Sequence, residues 1–418
     1  MEDNTKLRSI PITTEEVWKA YLEVRKHGQS AGVDGVSMDQ YEIRGKDELY
    51  KVWNRLSSGS YFPPPVREHE IPKGNGKMRS LGIPTISDRV AQTVVKTYLE
   101  PLLEPHFHAC SFAYRPNRNA HQAIEQATGQ CYEKAWVIDL DIEKFFDNLD
   151  HELLMRALSR HEPAKWIMMY VERWLKAPIS KLDGTLIIPT KGTPQGGVIS
   201  PLLSNLYLHY AFDKWMEINH RDVIFERFAD DVIVHCSTKE EAIDLLSAIT
   251  VRLAQCGLRV HPEKTKIVYC KNSGNQRGKW PSSFDFLGVT FKNYRAQNKQ
   301  TGTIFTGFGP VKISVKSRRK ILDVLQSKRL TRRTSGALQD LAIELKSHLH
   351  GWINSYYGQI KLSLVRGVME HLNTLLVRWA INRHKRFHRS KWRARLWLRR
   401  LATDYPNLFV HWKYGFTP

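Results

Sequence analysis

The sequence predicts an α+β fold, a body of mixed strands and helices followed by an all-helical segment. Two patterns predict it. Up to about residue 311, short runs of β-branched and aromatic residues alternate with stretches whose apolar residues recur at helical spacing. Beyond that point the pattern turns helical and stays basic. Charge marks the same boundary. Of a formal net charge of +21, residues 311–418 hold 23 Lys and Arg against 5 Asp and Glu, while residues 1–310 hold 40 against 37. A near-neutral body carrying a strongly basic helical segment is the footprint of a polyanion binder.

Taken in order, residues 1–60 read as helical segments around the turn Ser30-Ala31-Gly32-Val33-Asp34-Gly35. Between the short extended runs of 61–87, Asn75-Gly76 predicts a hairpin turn. Val90, Val94, Val95, Leu99 and Leu102 predict a helix over 88–103, with Asp88 as its N-cap. Trp136–Ile142 reads as a buried strand and Asp150 opens another helix. A hairpin around Asp230, a helix over 239–256 and short strands at 266–268 and 284–291 complete the body.

At 418 residues the chain suffices for two or three domains, and its apolar content suits a folded protein. No apolar run approaches the roughly 18 residues that span a membrane, so no membrane partner is expected. The N-terminal stretch lacks the apolar core of a secretory signal. Cys110, Cys131, Cys236, Cys256 and Cys270 are odd in number and lack any C-x-x-C pair. That spacing argues against a disulfide framework and for a reducing, cytoplasmic setting.

The chemistry centres on carboxylates. Asp230 and Asp231 are adjacent between strand-forming runs, Val223-Ile224-Phe225 before and Val232-Ile233-Val234 after. Two like charges at a hairpin tip repel, and a divalent cation removes that cost. From the hairpin alone, an Asp-rich turn is the favoured reading. Asp139 and Asp141 share one face of the strand 136–142. Charges inside an apolar strand need a partner or a metal. Asp139 is read as pairing with a Lys or Arg, and Asp141 as a metal ligand. Two-metal phosphoryl transfer needs carboxylates from more than one strand, with ions about 3.5–4 Å apart.

The blocks Ile138-Asp139-Leu140-Asp141-Ile142-Glu143-Lys144-Phe145-Phe146, Gly192-Thr193-Pro194-Gln195-Gly196-Gly197 and Phe228-Ala229-Asp230-Asp231 occur in that order. Around them lie Glu70–Pro84, Ser111–Pro116, Gly257–Lys266 and Phe286-Leu287-Gly288. Together they resemble the reverse transcriptases encoded by bacterial group II introns, from about residue 20 to the C-terminus. The resemblance implies a right-hand polymerase: fingers over 1–100, palm over 101–295, and a helical thumb and maturase domain over 296–418. It implies RNA-directed DNA synthesis with two Mg²⁺ ions, Mn²⁺ being an alternative, and assistance to intron splicing and mobility. Expected partners are group II intron RNA, an RNA template with a DNA primer, dNTP, and target DNA through the ribonucleoprotein, with nucleoid association during action on DNA.

Residue by residue, Asp141, Asp230 and Asp231 match the family's catalytic carboxylates, with the Ile142 carbonyl a further metal ligand. Lys73 and Arg79 match triphosphate-binding cations, although a solvated hairpin is their plain alternative. Phe146 matches the position that crowds a ribose 2′-hydroxyl, or else is simply core. Gln195 sits in the Gly-rich loop, and Lys264 is a cation for the leaving pyrophosphate. In the basic segment, Trp352, Tyr356, Leu372, Leu376 and Trp379 read as packing. Arg383, Lys385, Arg386, Arg389, Lys391, Arg393 and Arg395 read as an RNA-facing surface.

Three positions depart from the family pattern: Phe228 where Tyr is usual, Ser80 where Pro is common, and Asn117 where Gly is common. The last two read as drift. The sequence has no cysteine pairs of the kind that mark the family's endonuclease region, so target-strand cleavage is not expected. Two other readings stand beside the main one. They are a domesticated reverse transcriptase in defence or repair, and a non-enzymatic RNA-folding cofactor with a vestigial palm.

Overall fold

The computed structural model describes residues 9–27, 30–72, 78–271, 279–297, 300–356 and 364–418. The chain forms two compact units. One comprises Met1–Asn119, Leu140–Val232 and Ile243–Thr265; the other comprises Ala120–Asp139, Ile233–Ala242 and Lys266–Pro418.

In the first unit the helix Ile86–Leu103 forms the centre of the core. Ile86, Val90, Ala91, Val95, Leu99 and Leu103 are fully buried, because apolar residues return at helical spacing on more than one face. It packs against the helices Thr14–His27, Gly45–Ser57, Lys165–Leu175 and Ser200–Leu208. Its N-cap is Thr85, whose side chain accepts from the Asp88 backbone N–H, and not Asp88 as the sequence suggests. Asp88 sits three residues inside and is wholly buried. There it accepts from Tyr61 Oη (2.9 Å), Trp174 Nε1 (2.8 Å) and Gln92 Nε2 (2.9 Å). Three donors, one from its own helix, one from the helix Lys165–Leu175 and one from a loop, explain why a carboxylate is retained in a core.

The expected hairpin is the antiparallel pair Val66–Pro72 and Met78–Ile83. Its Asn75-Gly76 turn lies outside the described residues. The first strand also pairs in parallel with Ile179–Ser180, which pairs with Leu186–Ile187.

A four-stranded sheet has the order Ile224–Phe228, Asp231–Cys236, Trp136–Asp141, Lys266–Tyr269. Asp141 and Asp231, at the ends of its two inner strands, belong to the first unit.

In the second unit, Ser283–Phe286, Val289–Gln297 and Ile304–Ile313 form an antiparallel sheet, so the expected strand over 284–291 is two. They turn at Leu287 (φ 48°) and Gly288 (φ 82°), the positive φ pair that a tight two-residue hairpin demands. Phe284 stacks on Phe291 at 4.8 Å and on Phe308 at 5.9 Å. The basic segment is helical from Val315, with helices Leu338–Tyr356, Arg366–Arg383 and Lys391–Asp404. As expected, Tyr356, Leu372, Leu376 and Trp379 are buried in their packing. Among the described residues no helix is long and apolar enough to cross a membrane.

Candidate active site

Asp141 ends its strand and is tied down by the segment that follows Gly257. Its N–H donates to Thr265 Oγ1 (3.2 Å), and its carbonyl accepts from the His261 N–H (2.8 Å). Ile142 is buried and forms an antiparallel bridge with Val260, and the Glu143 N–H donates to the Arg259 carbonyl (2.8 Å). With its backbone held on both sides, Asp141 presents a carboxylate that accepts from Lys264 Nζ at 3.0 and 3.2 Å. Asp139, two residues earlier, pairs with Lys266 at 3.4 Å, as its apolar neighbours predict.

Asp230 lies in the two-residue turn between Ile224–Phe228 and Asp231–Cys236. The preceding Ala229 has φ 58°, a left-handed conformation that a Cβ disfavours. Burial, and then the Asp141 carboxylate, push the Asp230 carboxyl above its usual range; Arg79 and Lys264 oppose this. A carboxylate at a strand end and one in a hairpin turn therefore share one electrostatic site. Asp231 is exposed and Phe228 half-buried.

Arg79 Nε donates to Gln195 Oε1 at 2.6 Å, joining the hairpin to the Gly-rich loop. That loop approaches the hairpin backbone closely: the Gly82 N–H donates to the Gln195 carbonyl at 2.8 Å. A Cβ on Gly196 (φ 122°) would meet the Gly82 carbonyl at 2.6 Å, so only glycine fits. Gln92 Oε1 holds the far side of the loop, accepting from the Val198 and Ile199 N–H groups at 2.8 and 3.2 Å. Phe146 is buried edge-on against Phe145, and its carbonyl accepts from the Thr193 N–H at 2.8 Å. Lys73 lies outside the described residues.

These positions fall inside a stretch that matches a known family along more than half of the chain. Residues 71–291 match the family model described as reverse transcriptase (RNA-dependent DNA polymerase). The chain belongs to the reverse transcriptase family. Residues 319–397 of the chain match the group II intron, maturase-specific domain. It is similar to Protein YkfC of Escherichia coli, 40% identical over 219 residues, which cover 50% of this chain and 57% of that protein. It is also similar to the group II intron-encoded protein LtrA of Lactococcus lactis, 35% identical over 207 residues covering 49% of this chain and 34% of LtrA. A Saccharomyces cerevisiae protein named putative COX1/OXI3 intron 1 protein is 28% identical over 215 residues, 51% of this chain and 25% of that protein. The aligned part thus spans about half or less of each of these relatives.

The structure adds a residue that sequence reasoning passed over. Tyr114 (φ 55°) has its hydroxyl raised above its usual pKa by burial and by Asp230 and Asp231, with Arg79 opposing. It belongs to the Ser111–Pro116 block, which was its only signal. Arg115 beside it anchors that block, donating to Glu104 Oε1 (2.9 Å) and to the His108 and Ser111 carbonyls (2.6 and 2.8 Å). Asn117 has φ 58°, a conformation that suits Gly and that Asn tolerates, so its presence has a physical reason beyond drift. Ser80 likewise has a bond of its own, from Oγ to Glu68 Oε1 at 2.7 Å.

All seven cations expected to face RNA are exposed: Arg383, Lys385, Arg386, Arg389, Lys391, Arg393 and Arg395. Arg386 lies over the rings of Phe387 (4.7 Å) and Trp397 (5.7 Å). Trp392 is 70% exposed, a large aromatic left in solvent among them.

Among the described residues no three His, Cys, Asp or Glu side chains are gathered closely enough to enclose a metal. The donor set of Asp141, Asp230 and Asp231 is nevertheless one of hard oxygens, the kind that divalent Mg²⁺ takes. Lys264 supplies the positive charge that Asp141 requires in this arrangement. The family generally uses divalent metal ions.

Proposed function

We propose that the chain is an RNA-directed DNA polymerase that also binds a group II intron RNA and assists its splicing and mobility. The observation that supports this best is that Asp141, at the end of one strand, and Asp230, in the turn between two others, lie within electrostatic reach of each other and of Arg79 and Lys264. In this reading 1–100 are the fingers, 101–295 the palm and 296–418 the thumb and maturase domain.

Asp141, Asp230 and Asp231, with the Ile142 carbonyl, are the groups that would hold two Mg²⁺ ions. Bound ions would lower the pKa of the primer 3′-hydroxyl and offset charge on the triphosphate. The chain's own residues supply position and fixed charge. Arg79, oriented by Gln195, meets the phosphate oxygens of a dNTP, for which a guanidinium fork is suited. Lys73 is assigned to the same triphosphate on its match to the family alone. Gly196 lets backbone come close to the nucleotide, and Phe146 narrows the space open to a 2′-hydroxyl. Lys264 passes from Asp141 to the departing pyrophosphate. The cations of 383–395 meet the phosphates of the intron RNA, while Trp392 offers an unpaired base a stacking face.

The test is primer extension on an RNA template. The unmodified protein extends the primer with dNTP and Mg²⁺, and Asp230→Ala does not, while keeping its affinity for RNA. Promotion of splicing by an unmodified protein that incorporates no dNTP would favour the RNA-folding cofactor instead.

A further inference from the structure

Beneath the Asp230 turn lies a fully buried ion pair. Arg227 and Asp213 both have no exposed surface. The fork is bidentate, Arg227 Nε to Asp213 Oδ1 at 2.7 Å and Nη2 to Oδ2 at 2.6 Å. The remaining nitrogen, Nη1, donates to Asn205 Oδ1 (3.0 Å) and to the carbonyl of Ala229 (3.3 Å). Ala229 is the left-handed residue immediately before Asp230. Asp213 ends the π-helical turn His209–Asp213, in which the Lys214 N–H reaches back to the His209 carbonyl. Such turns change the face on which a side chain emerges and recur at functional sites.

The network also reaches the other side of the site. The Arg227 N–H donates to the Cys110 carbonyl and its carbonyl accepts from the Phe112 N–H, both at 2.9 Å. Asn205 Nδ2 donates to the Ala113 carbonyl at 2.7 Å, one residue before Tyr114. One guanidinium and one amide thus brace the backbone just ahead of both Asp230 and Tyr114. For stability alone this is a poor arrangement, because apolar residues of similar volume usually serve a core as well as a buried ion pair does. What apolar residues cannot do is hold the Ala229 carbonyl in a strained turn.

We infer that Arg227, locked by Asp213 and Asn205, is a positioning residue that sets the Asp230 and Asp231 carboxylates for divalent metal. The inference rests on the polymerase reading above and acts through the Ala229 carbonyl, without contact to substrate.

The experiment compares unmodified protein, Arg227→Met, and the double variant Arg227→Met with Asp213→Leu. Each is measured for thermal midpoint, dNTP kcat and KM, and the Mg²⁺ concentration at half-maximal rate. The single variant strands a buried carboxylate and loses stability. The double variant is expected to recover the midpoint while kcat stays down by about 10- to 100-fold, the usual cost of a misplaced catalytic group. Its Mg²⁺ requirement rises several-fold and its affinity for template and primer is unchanged. Recovery of kcat and Mg²⁺ dependence together with the midpoint overturns the inference. Asn205→Ala serves if the double variant does not fold, since it leaves the ion pair intact. A raised Mg²⁺ requirement in that variant supports the inference, and an unchanged one overturns it. If the unmodified protein shows no Mg²⁺-dependent synthesis, the polymerase reading itself fails first.

Discussion

Lys264 Nζ lies 3.0 Å from Asp141 Oδ1, so the carboxylate offered by the strand Trp136–Asp141 is already engaged by a cation. A metal ion at Asp141 must share or displace that ammonium. Lys264→Gln is therefore expected to lower the Mg²⁺ concentration for half-maximal synthesis. The Lys264 side chain is 59% exposed, so the change is about two- to fivefold, in keeping with the small worth of exposed ion pairs. Its kcat for dNTP falls in parallel if the ammonium serves the pyrophosphate. A metal titration of primer-extension rate reads both.

Arg79 and Gln195 are 116 residues apart and joined by one hydrogen bond of 2.6 Å. Each alanine variant is expected to raise the KM for dNTP by roughly tenfold, as loss of a charge-assisted contact does. The double variant should be less than additive, because Gln195 acts by orienting Arg79. Additive losses in a double-mutant cycle would show that the two work independently.

Phe146 is 8% exposed, so it serves the core whether or not it meets a ribose. Phe146→Val is expected to increase ribonucleotide incorporation relative to deoxynucleotide, with a loss of stability on the order of 1–3 kcal/mol from the cavity left behind. Competition between CTP and dCTP in the extension assay measures the first effect, and urea unfolding the second.

Burial raises the Asp88 carboxyl to about 6 from 3.8, despite hydrogen bonds from Trp174, Tyr61 and Gln92. An acid with a raised folded pKa stabilises the fold below its unfolded pKa and loses that contribution as pH rises through the folded one. The urea midpoint should fall between pH 4 and 7, and this component should vanish in Asp88→Asn. Because Asp88 also orients Gln92, that variant should loosen the loop bearing Gln195 and raise the KM for dNTP. A midpoint whose pH dependence is the same in both proteins would contradict the assignment.

The exposed arginines of 383–395 contribute charge more than shape. Replacing Arg383, Arg386, Arg389 and Arg393 by Gln is expected to weaken RNA binding and flatten its salt dependence. The slope of log affinity against log salt falls by roughly one for each phosphate contact removed. A filter-binding salt series measures it. Unchanged slope with weakened binding would point to lost folding of the segment instead.

Much of this was legible in one dimension. The helix over 88–103, the hairpin at Asp230 and the helical basic segment follow from periodicity and turn chemistry, which are local properties of the chain. The acidic pair Asp230-Asp231 and the strand bearing Asp141 could be marked because carboxylates among apolar strand residues demand a partner. Asp139 was expected to pair with a Lys or Arg, and the structure supplies Lys266. The N-cap was misplaced by three residues, since Thr85 and Asp88 are both good caps and only burial separates their roles.

What the amino-acid sequence determined by itself is the mixed body, the basic helical segment and the inventory of chemistry, since residue type and spacing along the chain carry those. Only the tertiary structure decided which further residues surround and brace those groups. Tyr114 beside Asp230, Gln92 under the loop of Gln195, and Arg227 against the Ala229 carbonyl all arise from segments distant in sequence or from a single buried turn. Burial and hydrogen-bond partnership are properties of the folded contacts, and no periodicity along the chain encodes them.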